Sequence, residues 1–495
     1  MSISAARLAA FEILLRVQEQ GAYASELLHS ERLASLSAAD RGLCTELVMG
    51  ALRWQSALDE DIRSVSSQKL NRIDAEVLVA LRLGAYQLRF LDRIPAHAAV
   101  NESVELVKRA RKKSAAPFVN AVLRKLIGSS GERKTGAGRV LNAQVGAIGS
   151  WPTSATDADM GHPGVCESPE GLAAVSAHPS WLVARWTLEF GIERARRICQ
   201  FDQQAPPTAL RMPARGAEAV EAQLRAEGIE LAPGRLVRSA RVVLSGDVAH
   251  APASLEHHLA IQDEGSQLVA ALVGKGSRIL DCCAAPGNKT VALAEANPRA
   301  SIVAVELHQH RAEALRRRIA TLAGDLPSTP QEAANDPGAN SPIEIGSTEV
   351  LTADATKLPY GREFDRILAD VPCSGTGTLA HNPEIKWKLR PDDLTDLHER
   401  QRAILAAALR HLAAGGVIVY STCSLEAEEN TAVVEEVLRD HATAKLLDCR
   451  ARLHELQAEG ELAWPDLESL ASGPYLRTLP GTHPCDGFFA AMITA

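Results

Sequence analysis

Apolar residues recur at three- and four-residue spacing through the first quarter of the chain. FEILLRV, LCTELVMGALRW and AEVLVALRLGAYQLRFL each lay an apolar stripe along one face of a helix. Pro95 breaks one such run, and NESVELVKRA opens the next with Asn101 as its expected cap. FVNAVLRKLIG closes the module, so residues 1–128 read as all-helical. The pattern then collapses. GSSGERKTGAGR and GSWPTSATDADMGHPG are rich in Gly, Ser, Thr and Pro without periodicity, and 129–177 reads as a flexible linker. Residues 178–265 mix helices (WLVARWTLEFG, AEAVEAQLRAEG) with short strands (ALRMP, RVVLSG), which predicts a small α+β domain.

From residue 266 to 495 the alternation is regular. Strand RILDCCA precedes helix NKTVALAEA, and strand SIVAVE precedes helix RAEALRRRIATLAG. EVLTAD and DRILADV read as two more strands. The long helix LTDLHERQRAILAAALRHLA and the strand GVIVYS follow. Short apolar strands alternating with helices predict an α/β fold: an open, mostly parallel sheet covered on both faces. The stretch 324–346 is rich in Pro, Asn, Gly and Ser and reads as a surface insertion.

The bulk numbers narrow the function classes. Apolar residues make up 46% and charged residues 23% of 495, an ordinary globular balance. No stretch approaches the roughly 18 apolar residues that span a bilayer, and the N-terminus lacks the layout of a signal peptide. Nine scattered cysteines with no CxxC fit a reducing cytoplasm better than a disulfide scaffold, and no spacing suggests a metal site. Net charge is −8, yet residues 1–128 carry 18 Lys/Arg against 14 Asp/Glu, or +4. KRARKK concentrates that excess in Lys108, Arg109, Arg111, Lys112 and Lys113. A solvated helix end and a phosphate-binding patch both fit this run.

Chemistry gathers at the strand ends. DCCAAPGNKT, after the first strand of the alternating region, has small residues that let backbone approach a ligand, followed by a helix N-terminus. Its candidate ligand-binding positions are Cys283, Ala284, Ala285, Pro286, Gly287, Asn288 and Lys289. The second strand ends in Glu306, where doubly wound folds hold ribose hydroxyls, and the third in Asp354. The fourth leads into ADVPCSGTGT with Asp370 and Cys373, and the fifth into STCS with Cys423. Parallel strand ends converge on one crevice, so both thiols and Asp370 face a nucleoside site. GxGxxG and the Gly-x4-Gly-Lys loop are both absent, which disfavours nicotinamide and nucleoside-triphosphate chemistry. The residues themselves do not rank Cys423 against Cys373.

These motifs resemble those of S-adenosylmethionine-dependent RNA cytosine-C5 methyltransferases. DCCAAPGNKT is similar to their cofactor loop, and DVPCSGTGT and YSTCS to their two cysteine motifs. IQDEGSQLVA, HNPEIKWKL and CDGFFAAM support the match in the same order. Upstream, IPAHAAVNESVELVK and FVNAVLRKL resemble a NusB-like helical RNA-binding domain, and HPSWLVARWTLEFG the start of a middle domain. That combination is similar to the RsmB (Sun/Fmu) branch, which methylates bacterial 16S rRNA.

The resemblance implies a Rossmann-like catalytic domain, S-adenosylmethionine as cofactor, and 16S rRNA or an early small-subunit assembly intermediate as partner of a monomer. It makes Cys423 the nucleophile on C6 of cytosine and Cys373 the thiol that assists product release. Lys289 matches the family's cofactor-loop lysine, and Asp370 is the candidate contact to the cytosine edge. Asn288 stands where the family usually has glycine, and Glu306 where aspartate is usual. Two other expectations stay open: another RNA, such as transfer RNA, as substrate, and a non-enzymatic RNA-binding role for the helical module.

Overall fold

The computed structural model describes residues 3–30, 33, 35–133, 167–214, 216–248, 259–322 and 346–495. Most of the expected linker and of the 324–346 insertion lies outside the described residues. The chain divides into two units, Met1–Ala205 with Leu379–Lys388, and Pro206–Thr378 with Leu389–Ala495.

In the first unit, helices Ala5–Gln20, Ala38–Arg53, Gln55–Val65, Ala75–Phe90, Ala96–Arg109 and Ala116–Arg133 follow the apolar stripes of the sequence. They bury Leu14, Leu47, Leu58, Ile62, Leu81 and Leu123 in one core. Each fully buried leucine contributes about 1.5–3 kcal/mol. Asn101 is not the cap expected of it. The helix begins at Ala96 with Pro95 at its N-cap, so Asn101 lies in the second turn. Proline's fixed φ suits entry into a helix, and AHAAV offers nothing to delay it.

The same unit includes helices Pro169–Val175, Ser180–Phe190 and Ile192–Asp202 and the segment Leu379–Lys388. Polar groups bind that segment to the helices. Lys386 is buried and donates to the carbonyls of Arg53 at 3.0 Å and Ala177 at 3.2 Å. Burial pushes its ammonium down to about 7. Trp387 Nε1 donates to Leu52 O at 2.7 Å, and Glu384 accepts from the Ala24 N–H at 2.7 Å.

The second unit holds two sheets. Strands β1 (Ala209–Arg211), β2 (Glu230–Pro233), β3 (Ala240–Ser245) and β4 (Ala260–Ile261) form a small antiparallel sheet in the order β2-β3-β1-β4. Helix Ala217–Ala226 buries Val220 and Leu224 in a core with Leu210 and Met212, the expected α+β pattern.

The larger sheet takes β5 (Arg278–Asp281), β6 (Ser301–Glu306), β7 (Ser347–Thr352), β8 (Phe364–Asp370), β9 (Leu412–Thr422), β10 (Lys445–Leu447), β11 (Ala471–Ser472), β12 (Tyr475–Arg477) and β13 (Phe489–Thr494). Its order is β11-β12-β13-β9-β8-β5-β6-β7, with β10 beside β13. Pairs from β7 to β9 are parallel, as the alternation predicts. The chain runs outward from β5 in both directions, so the switch point lies between β5 and β8. Beyond β9 the pairing turns antiparallel, with Phe489 opposite Thr422.

Candidate functional site

Four strand ends build the site. β5 ends in Asp281, which is buried and accepts from the Thr290 hydroxyl at 2.7 Å through Oδ2. Its Oδ1 is buried and makes no well-formed hydrogen bond. Burial raises this carboxyl to about 6, although the Thr290 hydroxyl opposes the shift. The loop then turns across the ends of β6 and β8. The Ala284 N–H donates to Val305 O at 2.8 Å, and the Cys282 N–H to Leu368 O at 2.9 Å. Cys283 is half-buried, and burial raises its thiol well above the ordinary range. The Ala285–Pro286 bond is cis. Gly287 takes φ +103°, a backbone conformation that favours glycine, and an added Cβ would lie 2.4 Å from Leu315 Cδ1, so that side chain would have to shift.

Helix Asn288–Ala296 starts here. Asn288, the departure from glycine, turns its side chain to protein partners. Its Nδ2 donates to Ile261 O at 3.0 Å, and its Oδ1 accepts from Arg318 at 2.5 Å. Lys289, one residue on, pairs with Asp370 Oδ2 at 2.7 Å and lies 5.4 Å from the Phe488 ring centroid. Burial alone would lower its pKa. The Asp370 charge and hydrogen bond, with Cys423 and Asp281 beyond, outweigh that and raise it, so the side chain is a cation.

Glu306 ends β6, and its Oε1 accepts from the His308 N–H at 2.8 Å. Leu307, next to it, is 61% exposed, an uncovered apolar side chain at the strand end where a nucleoside would lie. Asp354 falls two residues past β7. It caps a short 3-10 turn by accepting from the Thr356 N–H at 2.9 Å and hydroxyl at 2.7 Å, and the backbone bond leads in lowering its carboxyl.

β8 and β9 place Asp370 opposite Ser421, past a register shift between Phe364 and Arg366, and the Ser421 hydroxyl donates to Asp370 Oδ1 at 2.7 Å. The two thiols follow from those strand ends. Cys373 Sγ and Cys423 Sγ are 3.2 Å apart, and the Cys423 N–H lies 3.3 Å from Cys373 Sγ. The hydrogen bond with Cys423, then burial, raises the Cys373 thiol well above the ordinary range, so Cys373 holds its proton. Around the thiols the loops interlock. The Gly377 N–H donates to Cys423 O at 2.9 Å, and Thr376 Oγ1 accepts from the Leu425 N–H at 2.9 Å.

Cys283 to Lys289, Glu306, Asp370, Cys373 and Cys423 thus stand at the ends of β5, β6, β8 and β9, with Asp354 beyond β7. The basic run is in the first unit. Lys108 pairs with Glu105 at 2.7 Å, and Lys112 with Asp74 at 2.8 Å and Glu76 at 3.6 Å. Arg109, Arg111 and Lys113 are exposed, and Arg111 has φ +62°. Sequence reasoning missed Asp281, Leu307, Ser421 and Phe488. Asp281 and Ser421 lie inside the quoted motifs DCCAAPGNKT and YSTCS, and strand-end position was the signal that pointed to them.

This fold and strand-end site define an S-adenosylmethionine-dependent methyltransferase. Matches to known proteins sharpen the class. The model of the 16S rRNA methyltransferase RsmB/F family matches residues 271–329 and 339–494. The NusB family matches residues 4–128, and an RsmF/B-like ferredoxin-like domain matches 178–249. A probable ribosomal RNA small subunit methyltransferase B of Bacillus subtilis is 33% identical over 440 residues, 87% of this chain and 88% of that protein. Ribosomal RNA small subunit methyltransferase B of Pseudomonas syringae pv. tomato is 31% identical over 89% of this chain and 88% of its own length. The chain belongs to the 16S rRNA methyltransferase RsmB/F family. Among solved structures, PH0851 superposes with a TM-score of 0.72 at 20% identity, covering 100% of both chains, a likeness of fold.

The residues present fit the cofactor. Asp281 has a buried carboxylate oxygen, Oδ1, that makes no well-formed hydrogen bond, with the Cys283 N–H close by, and such an oxygen suits an ammonium. Glu306 ends the strand where ribose hydroxyls bind, and Leu307 offers an apolar face.

Proposed function

We propose that the chain methylates C5 of a cytosine in small-subunit (16S) rRNA through a covalent adduct between Cys423 and C6. The substrate would be the rRNA or an early assembly intermediate, and the enzyme a cytoplasmic monomer. The observation that carries this reading is the pair of thiols 3.2 Å apart beside the Lys289–Asp370 ion pair. A methyltransferase acting on an exposed heteroatom needs neither thiol. C5 of cytosine is a poor nucleophile until a thiolate adds at C6, so a thiol site answers a specific chemical need.

The loop Cys283–Lys289, with Asp281, Glu306 and Asp354, would hold S-adenosylmethionine, which would supply the methyl group from its sulfonium. The remaining steps belong to the chain's own residues. The Cys423 thiolate forms the C–S bond at C6. Asp370 contacts the N3/N4 edge of the base, and because it already accepts from Lys289 and Ser421, a proton reaching N3 passes from the Lys289 side. After methyl transfer the C5 proton passes to water, the electrons of that C–H bond re-form the C5–C6 double bond as the C–S bond breaks, and the proton at N3 returns to the Lys289 side. Cys373, the thiol that holds its proton, lies within reach to reprotonate the departing Cys423 sulfur. The target cytosine must be unstacked to enter, and Arg109, Arg111 and Lys113 of the NusB-like domain add phosphate contacts.

Covalent trapping with methylatable RNA tests the assignment. Cys423→Ala abolishes both methylation and adduct. Cys373→Ala loses turnover and accumulates a protein–RNA adduct stable in denaturing gels. The opposite pattern would exchange the two roles.

A further inference from the structure

A carboxylate outside the reacting groups sits beneath both thiols. Glu429 lies in a short 3-10 turn, Ala427–Glu429, six residues after Cys423, and is fully buried. Its Oε1 accepts from the Ser374 N–H at 2.8 Å and from Gln401 Nε2 at 2.9 Å. Its Oε2 accepts from the hydroxyls of Ser374 and Ser424. Its own carbonyl accepts from the Tyr420 hydroxyl at 2.6 Å, which fixes the turn against β9. Ser374 directly follows Cys373, and Ser424 directly follows Cys423. One side chain therefore joins the backbones behind both sulfurs. Gln401 adds a third anchor by also donating to Pro372 O at 2.9 Å, on the other side of Cys373.

We propose that Glu429 is a positioning residue for the proposed covalent reaction, a buried clamp that holds Cys373 and Cys423 in hydrogen-bond reach of each other. It touches neither substrate nor cofactor. Its action is on the loops, and it rests on the reading that both thiols take part. A carboxylate suits the task because every partner is a donor. Four donors converge on two oxygens, and an amide would turn one acceptor into an NH2 group facing two of them. The clamp also acts through charge. The hydrogen bond with Cys423 and then burial hold the Cys373 thiol in its protonated form, and the Glu429 charge adds to them.

Glu429→Gln tests the clamp without relying on methylation. The readout is site-resolved alkylation by iodoacetamide, with the modified cysteines quantified by mass spectrometry from pH 6 to pH 10. Removing the charge and loosening the thiol contact both lower the Cys373 pKa, so its alkylation profile moves to lower pH. Modification of Cys373 at pH 8 rises about tenfold. Cys449 and Cys485, buried elsewhere in the same unit, serve as internal controls and keep their rates. Turnover falls with little change in cofactor KM.

An unchanged Cys373 profile would overturn the proposal, as would equal acceleration at Cys449 and Cys485, which would mean general loosening. If Glu429→Gln does not fold, Ser374→Ala with Ser424→Ala decides. That pair keeps the carboxylate and removes two donors, so Cys373 alkylation still quickens, and an unchanged rate overturns the clamp. A parallel incubation with 5-fluorocytosine RNA separates the two ideas. Wild-type protein that forms no adduct contradicts covalent catalysis, while the alkylation result still judges Glu429.

Discussion

Asp281 shows how a single side chain couples cofactor binding to pH. Its carboxyl titrates at about 6, against 3.8 for a free one, because burial penalises the charge. Between those values the folded protein holds a proton that the unfolded chain has lost. Stability from this group therefore falls as pH rises through that window. Cofactor binding runs the opposite way, since an ammonium wants the carboxylate. Calorimetric titration with S-adenosylmethionine should show affinity rising up to about tenfold per pH unit below 6 and levelling above. Asp281→Asn should weaken binding and remove that dependence. A variant that binds as tightly as wild type at both pH 5.5 and pH 7.5 would remove Asp281 from the cofactor site. The residue was in view in the sequence as the last position of RILD. That its Oδ1 makes no well-formed hydrogen bond was not, because satisfaction of a buried atom depends on what the fold brings near it.

At the scale of elements, strand alternation made the parallel half of the sheet legible, along with both thiol-bearing strand ends. The antiparallel half was not. β13 is FAAMIT, an apolar run without a period of two, which pattern alone does not separate from a buried helix. HNPEIKWKL was recognisable as a motif, yet nothing local said that Lys386 would be buried against the carbonyls of Arg53 and Ala177, residues far away in sequence. Glu429 was hidden for the same reason: its donors come from 374, 401 and 424, which only the fold unites. The cofactor loop is the element most exposed to test. Gly287→Ala forces an L-residue to φ +103° and drives a methyl into Leu315. The expected cost is about 1–3 kcal/mol, read as a lower denaturation midpoint, with weaker cofactor binding. Unchanged stability would mean the loop adapts more readily than its packing suggests.

For the molecule as a whole, charge distribution is the clearest link from sequence to partner. A chain of net charge −8 gains from concentrating cations where an anion binds. The KRARKK run divides in the structure. Lys108 and Lys112 are engaged by Glu105, Asp74 and Glu76, while Arg109, Arg111 and Lys113 are exposed. Replacing those three by Ala should weaken rRNA binding and flatten the slope of log affinity against log salt by about 2–3. Lys112→Ala alone should change the slope less. A slope identical to wild type in the triple variant would return the run to the role of a solvated helix end.

The central claim is that this chain places a methyl group on C5 of a small-subunit rRNA cytosine by way of Cys423. Mass mapping of 5-methylcytosine tests it directly, in rRNA from cells with the protein, without it, and with Cys423→Ala in its place. One cytosine should carry the methyl group only when the intact protein is present, and be bare in the other two strains. Full methylation in the strain lacking the protein, or in the Cys423→Ala strain, would contradict it.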